Sequence, residues 1–466
     1  MPRNHFPLSR IDVTAQEYAD LAGNYNPAYA YYVDGMLRSI GGQSVGDALV
    51  GRHIYVHQTL GRPSGLFPLS GRTGYCTGRA PGVVRKVQFE VSSGENTATA
   101  FKGSFAVGAA YGDGANLKNA ANANIALTPL TWGTTDPNDF GNPGGGASTA
   151  NITGASGSDA TYNTVEGRVF SDWMTVTPTK RIDFPTLGNP VTCRLYSTGQ
   201  FPGSFGNDPP SGSGFGPNWN GAGEPEFGQG YFDGDQTTNA NAVGAVNDPY
   251  GPTVRMRFLL DVPGQSHYSA GDSTVDGWSN GASIAVGATP GDIGGFVRKV
   301  RNWQIARGIP SSLCNGARAG RRSTLYLRMA LREIMVNRFT HAWLLPWSIN
   351  ETGAPTASPY NIHESLDLTV QIMRACEIVG TQPILIEPVN SVGSGYQPAA
   401  VNAVLGPFLD AAEARGVTVF RTQKLLCDAT GNLRADLRID GAHPNEAGHQ
   451  ILLQSIVGDA LKYGLY

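Results

Sequence analysis

One stretch decides the fold class of the second half of the chain: HAWLLPWSINETGAPTASPYNIHESLDLTVQIMRACEIVGTQPILIEP, residues 341–388. It opens and closes on short apolar runs, HAWLLP and PILIEP, and the segment IHESLDLTVQIMRACEIVG between them spaces its apolar residues at helical intervals. A second helical segment, PAAVNAVLGPFLDAAEARG, leads to the next apolar run, VTVF at 417–420. Strands that alternate with helices in this way predict βαβ units and a parallel sheet with helices on both faces.

Upstream of about residue 255 the chain has a different character, rich in Gly, Asn, Thr, Ser and Pro. The segments RVFSDWMTVTP, VTCRLYS and TVRMRFLLDV show β-branched or alternating patterns, and turn residues separate them. This pattern predicts an all-β sandwich or jelly roll. We therefore expect an N-terminal arm or linker over residues 1–45, a β-rich accessory domain over 46–258 and an α/β domain over 259–466.

Bulk properties exclude several classes of protein. The formal net charge of −3 argues against a nucleic-acid binder, which normally carries a basic patch. The chain contains no apolar run of about 18 residues, so no membrane span is expected. No apolar signal region is visible in MPRNHFPLSRIDVTAQEY, and the location stays open, with an extracellular or virion-associated protein among the alternatives. Five scattered cysteines favour free thiols, although one disulfide pair stays open.

The first polar motif at a predicted strand end is GDST, residues 271–274, after SHYSA. Ester cleavage needs an oxygen nucleophile exposed on a sharp turn, which makes Ser273 the candidate nucleophile. Ser266 is a rival, because Gly264, Gln265 and Ser266 follow the more apolar run RMRFLLDVP. We favour Ser273, since GQSHYSA can itself form the first strand of the α/β domain.

The second motif is DGAHP, in which Asp440 precedes His443 by three residues. In a tight loop this spacing lets the carboxylate contact one ring nitrogen while the other nitrogen faces a serine. The following Pro444 is expected in the first turn of the last helix. Between the two motifs lie NGARAG (315–320) and SINE (348–351), where a backbone N–H of Gly320 and the side-chain amide of Asn350 could donate to an oxyanion.

In this order, Ser273, Gly320, Asn350, Asp440 and His443 resemble the SGNH (GDSL-type) hydrolase superfamily, over roughly residues 260–466. The resemblance implies a flavodoxin-like domain with three α/β/α layers around a parallel sheet. It implies that Ser273 is the nucleophile, that His443 is the general base and acid, and that Asp440 orients His443. It also implies an oxyanion hole built by Gly320 and Asn350, with no metal and no organic cofactor.

Two sequence blocks depart from the family pattern. The family's Asn block reads GxND, whereas here Ser348 and Glu351 replace the Gly and the Asp. The Gly block is loose, and Gly316 is a rival to Gly320. We prefer Gly320 because NGARAG resembles the family's Asn-x-x-x-x-Gly pattern.

The function expected from this resemblance is a serine esterase that removes O-acetyl groups from a carbohydrate or polysaccharide. A β-rich module before such a domain resembles the arrangement in carbohydrate esterases and in phage tail or virion-associated enzymes. The expected partner is therefore an acetylated carbohydrate, and homo-oligomerisation or assembly into a virus particle stays open. The alternatives are a virion- or tail-associated glycan-binding protein with a vestigial hydrolase domain, and a lipase or lysophospholipase.

Overall fold

The computed structural model describes the following residues: 39–40, 43–44, 54–58, 62–67, 71–80, 82, 84–93, 98–107, 110–111, 117–118, 126–135, 144–153, 167–176, 189–198, 201–205, 228–240, 246–247, 250–252, 254–260, 264–277, 295–317, 322–337, 339–353, 359–389 and 399–466. Gly320 and most of the expected arm over residues 1–45 lie outside these ranges.

The first half of the chain forms antiparallel strands, which are numbered here in chain order. They are β1 (Ser39–Ile40), β2 (Gln43–Ser44), β3 (Ile54–Gln58), β4 (Arg62–Phe67), β5 (Arg72–Ala80), β6 (Val84–Ser93), β7 (Ala98–Val107), β8 (Ala110–Tyr111), β9 (Leu117–Lys118), β10 (Thr128–Pro129), β11 (Ala150–Thr153), β12 (Gly167–Phe170), β13 (Met174–Thr175), β14 (Asn189–Ser197), β15 (Phe201–Phe205), β16 (Gly228–Asp233), β17 (Val246–Asn247), β18 (Tyr250–Pro252) and β19 (Val254–Leu260).

Two of the antiparallel sheets share one apolar core. One has the order β10-β7-β14-β5-β16-β17, with β11 also on β7, and the other has the order β12-β6-β19-β3, with β13 also on β6. Phe89 and Met256 from the second sheet lie in the same buried cluster as Phe105 and Leu195 from the first. Along β6 and β19 the core residues alternate with polar ones, as a strand with one apolar face requires. The predicted β sandwich is therefore present.

The second half contains five parallel strands and the helices that connect them. The strands are β20 (Gln265–Ala270), β21 (Ser311–Asn315), β22 (His341–Leu344), β23 (Gln382–Ile386) and β24 (Thr418–Phe420). The helices are α1 (Ser273–Asp276), α2 (Phe296–Ile305), α3 (Ser323–Asn337), α4 (Pro359–Val379), α5 (Ala399–Ala414), α6 (Gln423–Leu426) and α7 (Glu446–Gly458), with short 3-10 turns at Ile349–Gly353 and Ala435–Leu437.

The strand order β21-β20-β22-β23-β24 confirms the flavodoxin-like prediction. All four neighbouring pairs are parallel. Helix α4 packs against α3 and α5, whereas α2 packs against α7. The apolar runs predicted as strands, HAWLLP, PILIEP and VTVF, coincide with β22, β23 and β24. None of the helices in the described ranges combines the length and apolarity that crossing a membrane requires.

A buried ionic cluster joins the two halves of the chain. Arg255 of β19 places Nη1 2.9 Å from Oε1 of Glu90 in β6 and Nη2 3.1 Å from Oε1 of Glu333 in α3. All three side chains are almost fully buried. The polar face of this sheet is therefore covered, in part, by the α/β half.

Strand β19 continues to Leu260, two residues beyond the expected domain boundary at 258, and β20 begins at Gln265. The division into an accessory domain and an α/β domain stays a proposal. All five cysteines are free thiols, and Cys76 and Cys193 lie directly opposite each other on β5 and β14.

Candidate active site

The site begins at the turn that follows β20. The strand ends one residue before Gly271, and the chain enters α1 at Ser273. Asp272 caps this short helix, because its Oδ1 accepts hydrogen bonds from the backbone N–H of Thr274 at 2.9 Å and from its hydroxyl at 2.7 Å. A Cβ on Gly271 would lie 2.6 Å from Cγ2 of Val275, so the sharp turn requires glycine. The turn places Ser273 at the carboxyl edge of the parallel sheet, where the sequence predicted it.

The loop before α7 brings an imidazole and a carboxylate to this serine. His443 places Nε2 2.7 Å from Oγ of Ser273 and Nδ1 2.8 Å from Oδ2 of Asp440. Oδ1 of Asp440 also accepts the backbone N–H groups of Ala442 at 2.8 Å and of His443 at 2.9 Å. The three-residue spacing therefore closes a tight loop in which one carboxylate fixes both the backbone and the ring.

The protonation states follow from the partners of Asp440. Partial burial acts to raise the pKa of this carboxyl, but hydrogen bonds from the Ala442 backbone and from the ring and backbone of His443 outweigh it and hold the pKa below its ordinary value. An ionised carboxylate only accepts hydrogen bonds, so Nδ1 of His443 carries the proton. Nε2 is then the acceptor that faces the Ser273 hydroxyl, the arrangement that proton removal from the serine requires.

Helix α7 begins later than predicted. Pro444 precedes the N-cap Asn445, so the prediction that it lies in the first helical turn is wrong. Asn445 accepts the backbone N–H of Gly448 at 3.0 Å through Oδ1 and donates to the carbonyl of Asp436 at 3.0 Å through Nδ2. An asparagine side chain satisfies the helix terminus better than proline can, and it also anchors the loop that carries His443.

Asn350 lies in the 3-10 turn that follows β22, and its loop is tied to the nucleophile turn. Oδ2 of Asp272 accepts the Ser348 hydroxyl at 2.9 Å and the backbone N–H of Ile349 at 3.0 Å. The Ser348 hydroxyl oxygen in turn accepts the backbone N–H of Asn350 at 3.0 Å and its side-chain Nδ2 at 3.1 Å. A continuous path of hydrogen bonds therefore links the residue before Ser273 to the amide of Asn350.

The rival Gly316 is unsuited to bind an oxyanion. Its backbone N–H donates to the carbonyl of Ser269 at 2.8 Å, which extends the pairing between β20 and β21. A Cβ here would lie 2.1 Å from the hydroxyl oxygen of Tyr268 and 2.9 Å from the Ser269 carbonyl, so packing also explains this glycine. Gly320, the preferred candidate, lies outside the described residues and stays a prediction.

Ser266 lies elsewhere on the sheet. It is the second residue of β20 and is buried, and its hydroxyl oxygen accepts the backbone N–H of Thr340 at 3.2 Å. Four residues of extended strand, about 13 Å, separate it from Ala270 at the edge where Ser273 lies. The geometry therefore favours Ser273 over its rival.

Two features of the site were not predicted from the sequence. Asp276, three residues after Ser273, accepts a hydrogen bond from Nδ2 of Asn315 at 2.6 Å. Oδ1 of Asn315 accepts the Ser269 hydroxyl at 2.7 Å and the backbone N–H of Ala317 at 3.1 Å, which fixes the start of the loop toward Gly320. The only sequence signals were the Asp that follows Ser273 at helical spacing and the Asn that opens NGARAG.

Within the described ranges, no group of three or more His, Cys, Asp or Glu side chains is placed to hold a metal ion.

Neither the protein-family models nor the curated proteins include a match to this chain. Solved structures do match. A psychrotrophic esterase from Pseudoalteromonas sp. is 15% identical, with a TM-score of 0.32, over 43% of this chain and 100% of that one. A GDSL-like lipase from Bacteroides thetaiotaomicron is 11% identical, with a TM-score of 0.32, over 43% and 89%. An acetylxylan esterase from Geobacillus stearothermophilus is 15% identical, with a TM-score of 0.32, over 42% and 94%.

Proposed function

We propose that this protein is a serine esterase of the SGNH type, with Ser273 as nucleophile, His443 as general base and acid, and Asp440 as the residue that orients His443. The observation that carries the proposal is the unbroken chain of two hydrogen bonds, 2.7 Å from Ser273 to His443 and 2.8 Å from His443 to Asp440. An imidazole held between a serine and a carboxylate in this way is the arrangement that activates a hydroxyl for acyl transfer.

The chemistry follows from these contacts. Ser273 Oγ attacks the ester carbonyl carbon while Nε2 of His443 takes the hydroxyl proton, and a tetrahedral intermediate forms. The intermediate collapses as His443 gives that proton to the leaving alcohol, which leaves an acyl-enzyme. Water then attacks the acyl-enzyme with His443 as base, releases the acid and restores Ser273. Asp440 stays ionised throughout and stabilises the imidazolium.

The negative charge on the carbonyl oxygen needs fixed donors. We assign the side-chain amide of Asn350 and the backbone N–H groups of Ser273 and Gly320 to this role. The support for Asn350 is its connection to the nucleophile turn through Ser348, and the support for Gly320 is its position in NGARAG, just beyond the loop that Asn315 anchors.

For the substrate we propose O-acetyl groups on a carbohydrate or polysaccharide. The support is the β-rich module that precedes the α/β half, an arrangement that resembles carbohydrate esterases. Ester hydrolysis and the acetylated sugar are separate proposals, and separate experiments test them.

The nucleophile is tested by Ser273→Ala and Ser266→Ala on a chromogenic acetate ester. Ser273→Ala should lower kcat by about 10⁴-fold or more, because serine, histidine and aspartate act as a unit. Ser266→Ala is the matched control, since it removes a buried serine hydroxyl from β20, the strand that leads to Ser273, and should keep the parent's turnover. Retained turnover in Ser273→Ala would overturn the assignment.

The substrate is tested by acetate release from acetylated xylan, pectin and bacterial polysaccharides, with Ser273→Ala as the blank. Activity only on long-chain lipid esters or acyl thioesters would replace the carbohydrate proposal with a lipase or lysophospholipase. If the parent and Ser273→Ala both bind glycan and the parent shows no turnover, a glycan-binding protein with a vestigial hydrolase domain would be favoured.

A further inference from the structure

We propose that Ser348 is a positioning residue for the reaction: its hydroxyl couples the nucleophile turn to the oxyanion-hole amide of Asn350. The proposal rests on the proposed function, because it assigns a task within that site. It concerns a position at which this chain carries serine where the family's Asn block carries glycine. A glycine has no side chain that could form the contacts described next.

The Ser348 hydroxyl makes three hydrogen bonds in a fully buried position. It donates to Oδ2 of Asp272 at 2.9 Å, and it accepts from the backbone N–H of Asn350 at 3.0 Å and from Nδ2 of Asn350 at 3.1 Å. A hydroxyl has one proton and two lone pairs, so these contacts use its full capacity. Its rotation is therefore fixed.

The direction of the hydroxyl proton selects the orientation of the Asn350 amide. The Asp272 carboxylate accepts from Thr274, from Ile349 and from Ser348, so the hydroxyl proton points toward Asp272. The lone pairs of Ser348 then face Asn350 and can only accept. Asn350 must present its NH2 group rather than its carbonyl oxygen to them.

This orientation matters for the reaction. An amide nitrogen has two hydrogens, and the bond from Nδ2 to Ser348 fixes the directions in which both of them point. Removal of the Ser348 hydroxyl takes away this restraint on the positions of the amide oxygen and nitrogen. A donor that must be reorganised during the reaction stabilises the transition state less than one already in place.

The same hydroxyl also caps the short 3-10 turn, through the bond from the Asn350 backbone. If the role of Ser348 is purely structural, Ser348→Ala should lower stability and leave turnover per folded molecule unchanged. The two roles differ in what they predict for kcat, and in how the effect depends on the side chain at position 350.

The test is a double-mutant cycle with Ser348→Ala, Asn350→Ala and the double variant on a chromogenic acetate ester. We expect Asn350→Ala to lower kcat by about 10²–10³-fold, as loss of one oxyanion donor does. Ser348→Ala should lower kcat by about tenfold with KM little changed, and it should have almost no further effect in the Asn350→Ala background, because the amide it orients is gone.

Ser311→Ala is the matched control. Ser311 is also fully buried, but its hydroxyl donates to Oε1 of Gln304 at 2.7 Å at the opposite end of the sheet. This variant should lose stability without losing kcat. Equal effects of Ser348→Ala in both backgrounds, or a kcat equal to the parent's, would overturn the role of Ser348 while turnover that depends on Ser273 still supports the proposed function.

If the parent shows no turnover that depends on Ser273, the proposed function fails, and the orientation is then tested on its own by a crystal structure of Ser348→Ala. A rotated or disordered Asn350 amide supports the coupling. An amide in the position it has in the parent overturns it.

Discussion

Lowering the pH from 7 to 5 should destabilise the α/β half, because two histidines in its interior are held neutral. Burial lowers the pKa of His267 to about 4, with the charge of Arg301 adding to the effect and a hydrogen bond to Gln304 opposing it. Burial lowers the pKa of His449 to about 3, and the charges of Lys299 and His443 act in the same direction. Both histidines are fully buried.

The surroundings of each ring explain why the neutral form is preferred. Nε2 of His267 lies 2.7 Å from Oε1 of Gln304, and Nδ1 lies 3.2 Å from Nε1 of Trp343, which can only donate. A second proton on His267 would therefore face an N–H group. The His449 ring stacks on Phe296 at 6.4 Å between centroids, and its nitrogens have no hydrogen-bond partner among the described residues.

The size of the effect follows from these pKa values. In the unfolded chain a histidine has a pKa of about 6.5, so as the pH falls below that value the unfolded state takes up protons that the folded state does not. Stability is therefore lost progressively from about pH 6.5 down to the folded pKa. At pH 5, about 1.5 pH units below the unfolded value, each histidine contributes a loss of about 2 kcal/mol, or about 4 kcal/mol together. That is a large part of the ~5–15 kcal/mol that typically stabilises a protein.

The assay is urea unfolding at pH 7 and pH 5 for the parent and for His449→Leu. The loss between the two pH values should be about 2 kcal/mol smaller in the variant, because leucine does not titrate. His363→Ala, which removes an exposed histidine from α4, should behave like the parent. A pH-dependent loss in His449→Leu as large as the parent's would refute the reasoning.

Three other substitutions test the fold and the site. Arg255→Met removes the cation between Glu90 and Glu333, and should lower the free energy of unfolding by about 3–5 kcal/mol in urea titrations; a change below 1 kcal/mol would contradict the buried pairing. Gly316→Ala places a methyl group against the Tyr268 hydroxyl and the backbone of the neighbouring strand, and should cost about 1–3 kcal/mol in thermal unfolding; an unchanged Tm would show that the loop gives way easily. Asp440→Asn should lower kcat on an acetate ester by about 10⁴-fold with the fold retained, because an amide does not fix the His443 tautomer; near-parent turnover would remove Asp440 from the proposed mechanism.

The parallel sheet could be predicted from the sequence because its central strands are apolar runs, such as the PILI of β23, that lie between segments of clear helical periodicity. Strand β20 was harder to predict, since four of its six residues are polar: Gln265, Ser266, His267 and Ser269. They are buried because neighbouring side chains and backbone groups satisfy them, including Thr340, Gln304 and Asn315. A hydrophobic pattern cannot reveal partners that lie 37 to 74 residues away in the chain.

In the site, too, contacts between residues close in sequence were easier to predict than contacts between distant ones. The contact between Asp440 and His443 is local, within one turn, so spacing alone predicted it. The bond from His443 to Ser273 spans 170 residues and was predicted only because the order of motifs resembles a known family. The coupling of Asp272 to Ser348 has no family motif behind it and requires coordinates, since both residues are ordinary turn formers in sequence.

Helix α3 contacts both the candidate site and the β-rich half of the chain. At its start, the backbone N–H and hydroxyl of Ser323 bond to Oε1 of Glu351 at 2.8 and 2.6 Å, next to the oxyanion candidate Asn350. Farther along, Glu333 pairs with Arg255 of the β-rich half. One helix therefore contacts both the loop that carries Asn350 and the buried ionic cluster between the two halves. The β-rich half thus contacts, through Arg255, the same helix whose first residue holds the loop of Asn350.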